Sequence, residues 1–193
     1  MTFAARYSDV VQLVVRLRGV PPARLTALRG RLQHLQKLGY PRGVNTGRGK
    51  PAEYGAGQVL MLILALEFVA LGITPDRAAK VLRKKEPKIA EAVRVSSTES
   101  QKDEPDAVYI RVEPTALFDE DPHFGFSTAR SLERFLRLST HLSGFTSHAL
   151  INLSAVIERI HEWSAKELRL ADDQFREALA DWARGVADVD PEA

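Results

Sequence analysis

Six side chains between residues 24 and 37 could do chemistry together: Arg24, Thr26, Arg29, Arg31, Gln33 and Lys37. Guanidinium and ammonium groups neutralise phosphates, while Arg, Thr and Gln side chains reach the hydrogen-bonding edges of bases in the groove of a duplex. Five more side chains of similar type follow between 42 and 50: Arg42, Asn45, Thr46, Arg48 and Lys50, interleaved with Gly43, Gly47 and Gly49. Glycine permits backbone conformations that bring a loop close to another surface. The second set is therefore suited to gripping a sugar–phosphate backbone or a minor groove, and the first to reading what lies between two backbones.

Charge is distributed in the same sense. Residues 1–100 carry 17 Lys and Arg against 7 Asp and Glu, whereas residues 101–193 carry 10 against 18. A net charge of +2 thus conceals a basic half and an acidic half, the asymmetry expected when only one half meets a polyanion. Arg outnumbers Lys by 19 to 8; its planar fork suits phosphates and base edges, and a GC-rich genome would give the same excess.

Other chemistries find no support. The chain has no cysteine, which removes disulfides, zinc fingers and thiol nucleophiles together. His141 and His148 lack a helical ligand spacing and a neighbouring acid. Asp119-Glu120-Asp121 lacks the glycine and the later glutamate of a calcium loop and reads as a solvated turn. No G-x-S-x-G elbow surrounds a serine, and no G-K-[ST] follows the glycines at 43, 47 and 49. No catalytic residue, metal or cofactor is expected, and hence no enzyme. The apolar run Val59–Phe68 is too short for a membrane span of about 20 residues, and the N-terminus lacks a signal-peptide cleavage site. A cytoplasmic, nucleoid-associated protein without membrane contact is the expectation.

The elements that must position these side chains are mostly helical. Ser8 is placed to cap a helix over Asp9–Arg18. Gly19-Val20-Pro21 turns the chain, and a second helix runs from Pro22 to about Leu38, burying Leu25, Leu28, Leu32 and Leu35. Gly30, in its middle, either splits the segment or lets a backbone come close. Residues 41–53 read as a loop or short hairpin. A helix apolar on nearly every side spans about Ala56–Leu71. After Gly72, Thr74-Pro75-Asp76 starts another that runs to about Lys85, and a short helix is placed at Pro87–Val93. Ser96–Asp106 reads as a polar linker. Beyond it come strands at Val108–Val112 and His148–Asn152. Helices are expected after Ser127 or Thr128, after Ser154, and after Asp172 or Asp173.

Three of these segments, in order, resemble the DNA-binding domain of the MerR superfamily of winged helix-turn-helix regulators. Ser8–Leu28 is similar to its helix-turn-helix, Arg42–Tyr54 to its wing, and Val59–Leu82 to the helix pair that follows. Leu71-Gly72-Ile73-Thr74-Pro75-Asp76 matches the corner of that pair, and the likeness covers about 80 residues. It implies a MerR-like winged helix-turn-helix domain at 1–95 only; the elements read beyond it add a linker at 96–106 and a small α/β domain with an acidic tail at 107–193, for a mainly α protein. It also implies that the helix after the turn enters a major groove, making Arg24, Thr26, Arg29 and Gln33 the candidates for base or near-base contacts. Neither metal sensing nor drug sensing is implied. Double-stranded DNA is then the partner and transcription regulation the function. A homodimer is expected because two-fold pairs read two half-sites. The acidic domain would dimerise or meet RNA polymerase or another regulator. The alternative is a non-enzymatic adaptor of phage or mobile-element type, whose basic face binds an acidic protein.

Overall fold

A computed structural model of the chain describes residues 3–44, 51–112, 124–142, 149–171 and 173–187, with the side chains of 138–142 and 187 excepted. The protein is mainly helical with a small amount of sheet. Among the described residues no helix is long and apolar enough to cross a membrane. Two compact units are present: Met1–Lys84 together with Glu158–Trp182, and Lys85–Ile157 together with Ala183–Ala193.

In the first unit, β1 (Ala5–Arg6) leads directly into α1 (Tyr7–Arg18). The Asp9 carboxylate accepts the Arg6 N–H at 2.8 Å, so the helix opens at Tyr7, ahead of the cap expected at Ser8. Gly19 ends α1 in the left-handed region, φ 57°, where a side chain would be strained, and its N–H returns to Val15 O. A 3-10 turn, Pro22–Arg24, then leads into α2 (Leu25–Lys37). Gly30 does not split this helix, and a Cβ there would meet nothing within 4 Å. Leu28, Leu32 and Leu35 are buried, whereas Leu25 is only half-buried.

Two residues of β2 (Glu53–Tyr54) pair antiparallel with β1, Ala5 opposite Tyr54. The short ladder thus reaches back to the N-terminal strand. Next come α3 (Ala56–Ala70) and α4 (Pro75–Lys84). Eleven of the fifteen α3 residues are buried, as befits a helix apolar all round. At the corner, Thr74 offers its carbonyl to Ala78 N–H at 2.9 Å. The C-terminal end of α2 is held by Arg83 of α4, which donates to Leu38 O and lies 5.8 Å from the Tyr40 ring centroid.

The remainder of this unit comes from the far end of the sequence. Phe175 is 1% exposed and meets Phe3 edge-on at 5.2 Å between centroids. Arg159 donates to Leu17 O at 2.6 Å, Arg16 pairs with Glu167 at 2.8 Å, and Trp182 lies against Gly57.

The second unit is built on α5 (Glu86–Glu99) and a three-stranded antiparallel sheet. β3 (Val108–Val112) is central, flanked by β4 (Phe124–Thr128) and β5 (Ala149–Asn152), with Val108 opposite Thr128 and Ile110 opposite Ile151. Thr128 Oγ1 accepts the Ser131 N–H at 3.3 Å, opening α6 (Ala129–Leu142). The Arg111 guanidinium sits 3.9 Å from the Phe135 ring centroid. α7 (Leu153–Glu167) and α8 (Gln174–Ala187) are each shared between the units.

This division differs from the linker expected at 96–106. Helix α5 runs through Ser96–Glu99, and Ser96 is buried with its hydroxyl 2.9 Å from that of Ser154. The first four residues of the expected linker are therefore the end of a helix, while 100–106 lie outside helix and strand. β4 was not expected at all. The Asp119–Asp121 turn and His148 lie outside the described residues, as does the side chain of His141.

Candidate nucleic-acid interface

The positions of the basic and amide side chains follow from how α2 is seated. With Leu28, Leu32 and Leu35 packed inward, a helix advancing about 100° per residue turns Gly30 almost directly outward. Thr26, Arg29, Gln33 and Lys37 then fall within an arc of about 80° beside it. All four are exposed. Arg31 lies on the opposite flank, about 160° from Gln33 on the same arithmetic. Arg24, from the turn before the helix, joins Arg31 on that flank, where both line a groove with Arg18 of α1. The helical candidates therefore form two sets rather than one.

Arg24, Arg29, Arg31, Lys37 and Arg42 are all exposed, and none forms an ion pair with a carboxylate among the described residues. Arg42 follows α2 on a backbone that is held in place, because Gln58 of α3 donates to Arg42 O at 3.0 Å and accepts the Gly55 N–H at 2.5 Å. One glutamine thus ties the start of α3 to the loop carrying Arg42, a role the sequence pattern had not indicated. Asn45, Thr46, Arg48 and Lys50 lie outside the described residues. The base of that segment is anchored by Tyr54, buried with its hydroxyl 2.5 Å from Gln36 Nε2. Burial raises the Tyr54 phenol above its ordinary value, partly offset by the Gln36 hydrogen bond.

Among the described residues, two carboxylates pair with basic groups in this region. Glu67 of α3 pairs with Arg18 at 2.7 Å. Asp76 of α4 reaches His34 of α2 at 3.0 Å, joining helices 42 residues apart in sequence. The His34 hydrogen bond holds the Asp76 carboxyl below its ordinary value of 3.8. A carboxyl that is more acidic folded than unfolded contributes stability above the unfolded value, and loses it as pH falls through the folded one. Acid should therefore loosen the α2–α4 clamp. Between about pH 5 and pH 2 the urea midpoint of Asp76→Asn is expected to fall less than that of the wild type. Parallel curves would show that the pair contributes nothing.

Compared with protein families, curated proteins and solved structures, the chain matches none of them.

Proposed function

We propose that the chain is a sequence-specific DNA-binding transcription regulator that lays α2 in the major groove and the 42–50 segment along the backbone. The observation that carries this reading is the outer face of α2. It presents Thr26, Arg29, Gln33 and Lys37 side by side and exposed, with no carboxylate paired to Arg29 or Lys37 among the described residues. A helix fits the major groove of B-DNA, and Arg and Gln have bidentate partners there in guanine and adenine. Phosphate contacts from Lys37 and Arg42 would set the register, which carries no sequence information by itself.

On this reading α1, the Gly19–Pro21 turn and α2 act as a MerR-like helix-turn-helix, and Arg42–Tyr54 acts as its wing. Two copies would be needed to read two half-sites. The acidic second half, repelled by phosphate, is left to dimerise or to meet RNA polymerase or another regulator. The site of action is the nucleoid, in the cytoplasm.

Selection of duplexes from a random library by the full chain tests the reading. A recurring consensus with two related half-sites is expected. Retention of an acidic protein, with no duplex retained even at low salt, would favour an adaptor instead.

Gly30 supplies a sharper test. Alanine there should stabilise the protein by about 0.5–1 kcal/mol, since the position is helical and open. If a DNA backbone approaches α2 at Gly30, the same substitution should weaken DNA binding while raising the melting temperature. A stabilised variant with undiminished affinity would move the contact elsewhere.

A further inference from the structure

The flank of α2 that carries Arg24 and Arg31 borders a groove of about 620 Å³, within the range of small-molecule sites. Its apolar lining comes from Val14 of α1, Leu28 of α2, and Leu66, Val69 and Ala70 of α3, together with Val20 and Pro21 of the turn. Three arginines, Arg18, Arg24 and Arg31, also line it, and among the described residues no Asp or Glu does. Arg18 is engaged with Glu67 at 2.7 Å. Arg24 and Arg31 are exposed and form no ion pair among the described residues.

We infer that this groove is a binding site for a small amphipathic anion: a carboxylate or phosphate monoester head held by Arg24 and Arg31, on an aliphatic or aromatic body lying against Val14, Leu66 and Val69. Two like charges on one rim repel each other, and an oxyanion removes that repulsion while accepting forked hydrogen bonds. An inorganic ion would leave the apolar wall wet, and a neutral hydrocarbon would leave the guanidinium groups without a counter-charge. A molecule with both parts satisfies both. Arg18, its charge balanced by Glu67, leaves Arg24 and Arg31 as the two cations open to the anion. Occupancy would neutralise one cation of α2 and one of the turn before it, and so compete with phosphate on that flank. This consequence rests on the DNA-binding reading, whereas the site does not.

Calorimetric titration of the full chain in the absence of DNA tests the site, so that its failure is distinguishable from failure of DNA binding. The probes are octanoate, octyl phosphate, 1-octanol and inorganic phosphate. Saturable binding of one molecule of octanoate or octyl phosphate per chain is expected, with both octanol and inorganic phosphate weaker. Arg24→Gln and Arg31→Gln should each weaken that binding about tenfold, the loss of one charge-assisted contact. Ala27→Phe should block it, because exposed Ala27 lines the groove and its substitution fills the cavity without touching the core. Melting curves should show all three variants folded. No saturable binding of either amphiphile, equal binding of octanol, or affinity indifferent to Arg24→Gln and Arg31→Gln would overturn the assignment.

Discussion

Replacing Gly57 by alanine is expected to destabilise the protein, although alanine is the better helix former by about 1 kcal/mol. A Cβ at position 57 would stand 2.2 Å from both Cγ and Cδ2 of Trp182 and 2.4 Å from Cδ1. These atoms are the root of the indole, so no flexible tip can swing aside and the whole ring must move. Trp182 belongs to α8, which also buries Phe175 and Leu179, and displacing the ring strains that helix. Overpacking of this kind costs about 1–3 kcal/mol, sometimes more. For a chain of this length each kcal/mol lowers the melting temperature by about 2–4 °C. A smaller side chain at 182 should relieve the clash. Trp182→Leu is therefore expected to cost less in the Gly57→Ala background than in the wild type, a coupling that a double-mutant cycle measures. A Gly57→Ala protein as stable as the wild type would mean that Trp182 does not pack there.

The second large effect concerns DNA. Arg29→Ala combined with Lys37→Ala should weaken duplex binding severely, because two exposed cations leave the same face of α2. If Lys37 meets a phosphate, its loss should reduce affinity about equally for all sequences and lower the salt slope by about one. If Arg29 forks onto a guanine, its loss should cost about 1–3 kcal/mol and relax preference at one base pair. Comparing each single variant on cognate and scrambled duplexes assigns the roles. The reverse pattern would exchange them. Because Arg24 and Arg31 lie on the opposite flank, Arg31→Gln should leave base preference unchanged.

The helices of the first unit were legible because their signals are local. Leu28, Leu32 and Leu35 recur at helical spacing, Pro22 opens a turn, and Gly19 and Gly72 end helices where only glycine is comfortable. The same arithmetic places Thr26, Arg29, Gln33 and Lys37 together. It does not reveal that Arg24 and Arg31 border a groove with Arg18, since that depends on how α1, the turn and α3 pack around them. Arg18 carried no mark of its own beyond lying at the end of α1.

Long-range partnerships were illegible for the same reason. Nothing in the run around Phe175 or Trp182 announces that their partners are Phe3 and Gly57, because a pair so far apart is set by packing and leaves no periodicity. These contacts also mean that a fragment ending at residue 95 would uncover Phe3 and Gly57. β4 is five residues long and owes its register to β3, so no local alternation identifies it. Ser96–Glu99 read as linker because polar residues usually mark one, yet the buried Ser96 hydroxyl finds Ser154 and the helix continues.

The central claim, that the basic face of α2 engages a duplex, is tested most directly by fluorescence anisotropy of a labelled duplex titrated with the full chain across a salt series. The account predicts a log–log plot of affinity against salt that is linear and falls by about 0.9 for each phosphate neutralised, and that becomes shallower in Arg29→Ala and Lys37→Ala. Absence of binding at low salt, or a slope untouched by both substitutions, would contradict it.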